Sequence, residues 1–219
     1  MKTDIIVFTD GSSLNNAAVI SFGGIGIHFP NGELDDISEP FMLKPITNQR
    51  SELYAIYKAI YEITNKLEFN TITIYTDSEY SIKSLTEWIT NWKANGWMSS
   101  TKKPVKNKDI IEPLDQLIEK YPGRIKFKHV RSHTGKKDFE SIGNDKADKL
   151  AVAGSNRCKE IITKIMAQNG KEIKKPILSV DTDVEHVDVS KVANNAATKT
   201  DAKTEGKVKR KTVLKVKTD

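Results

Sequence analysis

The sequence is poor in cysteine: Cys158 is the only one among 219 residues. A lone thiol cannot form an internal disulfide framework, which excludes a disulfide-stapled secreted scaffold and suits a reducing compartment. No run of about 18 apolar residues occurs, so no membrane-spanning helix is expected. Met1-Lys2-Thr3-Asp4-Ile5 lacks the basic-then-apolar pattern of a secretory signal. An intracellular protein, cytoplasmic or nuclear, is the expectation. Phe, Trp and Tyr are missing altogether after Phe139. The last third therefore has little from which to build a second core. One folded domain over residues 1–155 is expected, followed by a charged tail over 156–219. Cys158 falls just beyond that domain in a polar stretch, where nothing marks it as a catalytic thiol.

Net charge is +6, yet residues 1–154 hold 20 Lys and Arg against 20 Asp and Glu. The excess lies in residues 155–219, with 15 basic and 9 acidic side chains. Basic character overall thus says nothing about the domain, and nucleic-acid binding there must rest on local clusters. Within the tail, Asp181, Asp183, Glu185 and Asp188 precede Lys207, Lys209, Arg210, Lys211, Lys215 and Lys217. Polar, aromatic-free sequence of this kind is expected to be disordered.

What remains is patterned. Ile5 to Thr9 reads as a buried strand meeting a turn at Asp10-Gly11-Ser12, and Ser21 to Phe29 as a second strand before the hairpin signal Pro30-Asn31-Gly32. Glu33 to Leu43 suggests a third strand with an irregular start. Leu53, Ile56, Tyr57, Ile60, Tyr61 and Ile63 recur at the spacing of an amphipathic helix over 51–66. Thr71 to Thr76 is a strand, and Ser78 caps a helix over 79–92. Helices over 109–121 and 143–153 flank a strand over 125–130, and 161–166 can extend or add a short helix. The order βββαβααβα predicts an α/β fold, a five-stranded mixed sheet with helices against it.

Four carboxylates occupy informative places in that order. Asp10 and Asp77 each close an apolar strand, in the matching contexts Phe-Thr-Asp-Gly-Ser and Tyr-Thr-Asp-Ser-Glu. Glu52 stands in the first turn of the first helix, and Asp148 on the last. Taken singly, a strand-end Asp-Gly is a turn and a helix-start Glu serves the dipole. Together on one edge they would repel each other, a conflict that a hard divalent cation resolves. Two such ions suit phosphodiester hydrolysis.

Several motifs in one order then carry a resemblance. Thr-Asp-Gly-Ser (9–12), Thr-Asn-Gln-Arg-Ser-Glu-Leu (47–53), Thr-Asp-Ser-Glu-Tyr (76–80) and Gly-Asn-Asp-Lys-Ala-Asp-Lys-Leu-Ala (143–151) resemble type 1 ribonucleases H over residues 3–154. The segment from Trp88 to Asn107 is similar to the basic protrusion of the bacterial type. The resemblance implies the ribonuclease H-like fold and cleavage of the RNA strand of RNA–DNA hybrids. Two Mg²⁺ ions are implied, with Mn²⁺ able to substitute, and 5′-phosphate and 3′-hydroxyl ends. Asp10, Glu52, Asp77 and Asp148 fall on its metal-binding catalytic carboxylates, and His133 on a loop histidine that assists proton transfer or product release. Asn16, Asn48 and Gln49 fall on residues that touch the minor groove and the RNA 2′-hydroxyls, and Thr47 and Asn107 on a phosphate pocket for the DNA strand. Helical geometry leaves Asp145 and Asp148 undecided, since i and i+3 share a face; the motif register assigns Asp148. Residues 136–142 make the loop after His133 longer than the family pattern.

Lys93, Lys102, Lys103 and Lys106, with Lys108, lie in a stretch without an acid from Trp88 to Asp109. Such lysines suit sequence-independent phosphate contacts. Trp88 and Trp92, four residues apart, are expected to pack the base of this handle, and Trp97 to meet a sugar–phosphate backbone. A His129–His133 zinc site has no further ligand near it. A monomer with an RNA–DNA hybrid as partner is expected. Four carboxylates argue against a decayed binding module, and the handle with His133 argues against a resolvase or integrase core.

Overall fold

The computed structural model describes residues 2–15 and 20–168. Of the tail expected over 156–219, residues 156–168 are helical, and residues 169–219 lie outside the described residues, as does Asn16. Five strands form one sheet in the order β3-β2-β1-β4-β5. They are β1 (Thr3–Asn15), β2 (Ser21–His28), β3 (Ile37–Phe41), β4 (Phe69–Thr76) and β5 (Ile125–His129). β1–β2–β3 is an antiparallel meander, whereas β4 runs parallel to β1 and β5 parallel to β4. The mixed sheet expected from the element order is present.

Helix α1 (Asn48–Lys66) presents buried Leu53, Ile56, Ile60 and Ile63 at the predicted spacing. Ile5, Val7, Ile25, Ile27, Ile72 and Ile74 are buried on the strands. Removing these branched side chains from water is the main favourable term in the fold. The expected helix over 79–92 is a continuous helical run in three parts, α2 (Glu79–Lys83), a π-helical turn (Ser84–Trp88) and α3 (Ile89–Ala94). Helix α4 (Lys108–Glu119) follows the handle, and α5 (Phe139–Gln168) closes the chain's described part.

Three boundaries differ from the sequence pattern, each for a physical reason. β1 does not stop at Asp10. Its parallel pairing with β4 ends at Phe8↔Tyr75, but antiparallel pairing with β2 continues to Asn15↔Ser21. Asp10 is thus a mid-strand residue at the point where one side of β1 loses its neighbour. α1 starts at Asn48, because the Thr47 side chain accepts from the Arg50 amide. Glu52 therefore lies beyond the first turn, where a dipole role has little force. α5 is 30 residues long. Asp138 Oδ1 accepts from the Ser141 amide at 2.8 Å, which starts the helix early and folds much of the long loop into it. No proline follows before Gln168 to stop it.

This long helix carries Cys158 into the interior, where it is fully buried and its thiol pKa is pushed up by burial. The polar surface expected around it is absent, since Cys158 turns toward the Phe41 carbonyl. α5 rides directly on β2: a Cβ on Gly26 would overlap the Ala147 carbonyl oxygen and the Ala151 amide. Among the described residues no helix is long and apolar enough to cross a membrane.

Candidate metal and nucleic-acid site

Asp10, Glu52 and Asp77 come together. One carboxylate oxygen from each lies within 4.8 Å of the other two. Asp10 arrives from the middle of β1, Asp77 from the residue after β4, and Glu52 from α1. Gly11 brings the helix in: a Cβ there would overlap the Glu52 amide and the Ser51 backbone. Only a glycine lets α1 approach β1 this closely.

The electrostatics show strain of one sign. Asp10, 7 % exposed, has its pKa raised from 3.8 to about 8, first by burial and then by the charges of Asp77, Asp148 and Glu52, against a hydrogen bond from the Gly11 backbone. Glu52 is also raised, mainly by burial, although hydrogen bonds from Ser78 and Asn48 oppose the shift. Ser78 Oγ donates to Glu52 Oε2, and Asn48 Nδ2 donates to Oε1 at 2.7 Å. The Asn144 amide donates to Asp77 Oδ2 at 3.4 Å, while its own buried Oδ1 has no partner. An oxygen-only donor set in which Asp10 and Glu52 resist ionisation in the absence of a counter-charge is what a hard divalent cation fits.

Asp148 stands outside the group of three, but its charge raises Asp10 while Asp145 is not among the causes. Of these two acids on α5, Asp148 is thus the one whose charge reaches Asp10. His133 is exposed on the loop after β5, with φ of 51°, and is not gathered with the carboxylates. His129, at the end of β5, reaches the Asp77 carbonyl oxygen at 3.2 Å.

The remaining residues fall into three groups. Thr47, Asn48 and Gln49 are exposed at the start of α1. The buried Arg50 guanidinium, three residues beyond Thr47, donates to both oxygens of Asp109, two residues beyond Asn107, at 2.7 and 2.5 Å, and so ties the start of α1 to the start of α4. Asn107 adopts φ of 61° and donates to the Tyr80 hydroxyl at 2.9 Å. In the handle, Lys102, Lys103 and Lys106 are exposed. Lys93 differs from them, because its ammonium is held by Asp115 at 2.7 Å and Glu119 at 2.5 Å. That charge secures α3 to α4 and is not free for a phosphate. Tyr80, Trp88, Trp92 and Trp97 form a ladder of ring contacts, with centroid distances from 5.6 to 6.4 Å. Trp88 and Trp92 therefore pack the base of the handle, as their spacing predicted. Trp97 ends the ladder, with the Lys108 ammonium 5.2 Å from its ring centroid.

Sequence reasoning missed two partners of the carboxylates. Ser78 was legible only as a helix cap, yet the same hydroxyl donates to Glu52. Asn144 lies inside a quoted motif, and its signal was an amide next to an acid-rich helix turn.

Comparison with known proteins agrees with this geometry. The profile of the RNase H family matches residues 2–156. A probable ribonuclease H of Acanthamoeba polyphaga mimivirus is 43 % identical over 144 residues, 65 % of this chain and 62 % of that protein. The chain thus spans less than two thirds of the mimivirus relative. A ribonuclease H of Francisella philomiragia is 39 % identical over 150 residues, 68 % of this chain and 90 % of that protein. Among solved structures, the PFV RNase H domain superposes with a TM-score of 0.59 at 25 % identity, covering 72 % of this chain and 97 % of that domain.

Proposed function

Since the chain belongs to the ribonuclease H family, we propose that it is an endonuclease that hydrolyses the RNA strand of RNA–DNA hybrids. The observation that carries this reading is the convergence of Asp10, Glu52 and Asp77 within 4.8 Å, with Asp148 acting on the same site. These four residues would hold two Mg²⁺ ions, or Mn²⁺ in their place. When bound, the ions supply an activated water and a counter-charge for the departing oxygen, which leaves 5′-phosphate and 3′-hydroxyl ends.

The chain's own residues do the rest. Ser78 and Asn48 hold both oxygens of Glu52, so that its rotamer is set before substrate arrives. Asn144 does the same for Asp77. Asn48 and Gln49, exposed beside the carboxylates, read the minor groove, and Asn16 joins them in that role. Only the RNA strand offers a 2′-hydroxyl there, which selects the strand that is cut. Thr47 and Asn107, tied by Arg50 and Asp109, receive a phosphate of the other strand. Lys102, Lys103, Lys106 and Trp97 contact the backbone without choosing sequence. Strand-labelled hybrid, RNA duplex and DNA duplex, assayed with and without Mg²⁺, test the reading. Cleavage of the RNA strand of the hybrid alone, and only with the ion, is expected; equal cleavage of DNA duplex would defeat it.

Two variants follow from the geometry. Asp148→Asn is expected to cost at least about tenfold more activity than Asp145→Asn, roughly 1.4 kcal/mol of transition-state stabilisation. Initial rates at saturating hybrid compare them, and equal losses would separate Asp148 from the site. His133→Ala is expected to lower turnover about 100-fold without abolishing it, the low end for a positioned acid or base. Its loop is exposed and assists a reaction whose carboxylates lie elsewhere. Unchanged single-turnover and steady-state rates would leave His133 without a role.

A further inference from the structure

β5 is an edge strand, and the chain around it is more strongly basic than its neutral domain suggests. Residues 120–137 contain seven Lys and Arg and no Asp or Glu. Not all of these charges are available. Arg124 donates to the Asn70 and Phe69 carbonyls and lies over the Phe69 ring. The Lys128 ammonium is matched by Glu140 at 2.6 Å.

Lys126, Arg131, Lys136 and Lys137 are different. All four are exposed, and none forms a salt bridge within the described residues. The charge of Lys136 helps to lower the pKa of Asp138, after hydrogen bonds from Ser141. Elsewhere on the domain Lys58, Lys66, Lys83, Lys93 and Lys108 are each matched by a nearby carboxylate. Several of the domain's lysines are thus paired, whereas these four charges, like Lys102, Lys103 and Lys106 of the handle, form no salt bridge among the described residues.

The strip also has an anchor. It runs along β5 to His129, which pairs with Thr76 and touches the Asp77 carbonyl. β5 and the loop after it therefore lead unpaired positive charge to the carboxylate site from an edge of the sheet. The handle, which lies between α3 and α4, supplies positive charge from another part of the chain. Four unpaired cations along some five residues of strand and a loop suit a linear polyanion rather than a compact anion.

We infer that Lys126, Arg131, Lys136 and Lys137 form a second phosphate-contacting surface, which holds the sugar–phosphate backbone of a duplex flanking the linkage that is cut. This rests on the functional reading above for the identity of the duplex. The surface binds backbone without sequence choice, so its signature is salt dependence and KM, not the chemical step.

The test replaces the four residues together by Gln in the full-length chain. Binding of a labelled RNA–DNA hybrid is titrated at several salt concentrations in an Asp10→Asn background, which prevents cleavage. Each lost phosphate contact should reduce the log–log salt slope by about 0.9, so a fall of about two or more is expected, with affinity at physiological salt weakened about tenfold. In the otherwise wild-type chain KM should rise by a similar factor with kcat unchanged. A control variant, Lys149→Gln with Lys159→Gln and Lys164→Gln, removes exposed charge from α5 and should change the slope by less than about half a contact. Equal slopes for the parent and the quadruple variant would overturn the proposal. So would an equal loss in the control, which would make the effect one of net charge. Failure of the parent chain to cut hybrid at all is a separate outcome: it removes the functional reading, while the salt slopes still decide whether this surface binds a duplex.

Discussion

Asp10→Asn is expected to eliminate hydrolysis, by about a thousandfold or more, while the metal-free protein becomes more stable. The two effects have one cause. Asp10 is buried on β1 among three other acids, and its carboxyl titrates near 8 instead of near 3.8. At neutral pH without a counter-ion the folded protein must hold a proton on it that the unfolded chain would release, and this opposes folding. A folded-state pKa raised in this way stabilises the protein below the unfolded value, and that stability is lost as pH rises through the folded value. Metal-free wild-type protein should therefore lose thermal stability between about pH 4 and pH 8, and Mg²⁺ should restore it in proportion to its binding. Asn removes the charge but keeps the shape. At pH 8 the variant should melt at least about 2–4 °C higher than metal-free wild type, the shift expected for roughly 1 kcal/mol in a protein of this size. Mg²⁺ should raise its melting temperature much less. Calorimetry across pH, with and without Mg²⁺, measures this separately from the cleavage assay. A variant that lost activity and also lost stability would assign Asp10 to the core rather than to a cation site.

The mixed sheet and the carboxylate cluster were legible because they rest on local signals. Alternating or continuous branched residues marked Ile5–Thr9 and Thr71–Thr76, and the 3–4 spacing marked α1. The motif contexts of Asp10 and Asp77 placed them together. What escaped was set by tertiary contact. β1 runs on past Asp10 because β2 is beside it, not because residues 11–15 favour a strand. Cys158 looks polar in its neighbourhood, yet α5 is held on β2 by Gly24 and Gly26, and the approach of two backbones leaves no local trace except the glycines themselves. Lys93 read as a handle lysine because Asp115 and Glu119 are more than twenty residues away in sequence. Which of Asp145 and Asp148 acts on Asp10 depends on how α5 sits on β2, and it is the charge of Asp148 that raises Asp10. The basic strip on β5 was hidden in the same way, since sequence alone cannot separate Lys128, which is neutralised, from Lys126, which is not.

Gly11→Ala should damage both fold and function, with the functional loss the larger. The added Cβ would overlap the amide of Glu52 and the backbone of Ser51, which are main-chain atoms in the second turn of a 19-residue helix. No side-chain rotamer can relieve such a clash, so α1 must shift away from β1 as a body. Overpacking of this kind costs about 1–3 kcal/mol, and the backbone nature of the contact places it towards the upper part of that range. The same shift carries Glu52 away from Asp10 and Asp77 and strains its hydrogen bonds to Ser78 and Asn48. Displacing a catalytic group by about 1 Å can cost 10²-fold in rate, so a loss of about that size in kcat is expected in protein that is still folded at the assay temperature. Affinity for hybrid, which on the proposed reading rests on the handle, the exposed polar residues and the surface around β5, should change little. The measurement is kcat, KM and the Mg²⁺ concentration at half-maximal rate, alongside the melting temperature. A weaker Mg²⁺ requirement-curve midpoint with unchanged KM would trace the loss to Glu52's displacement. Wild-type kinetics in a destabilised variant would show instead that α1 finds its place over the carboxylates without the close approach that Gly11 allows.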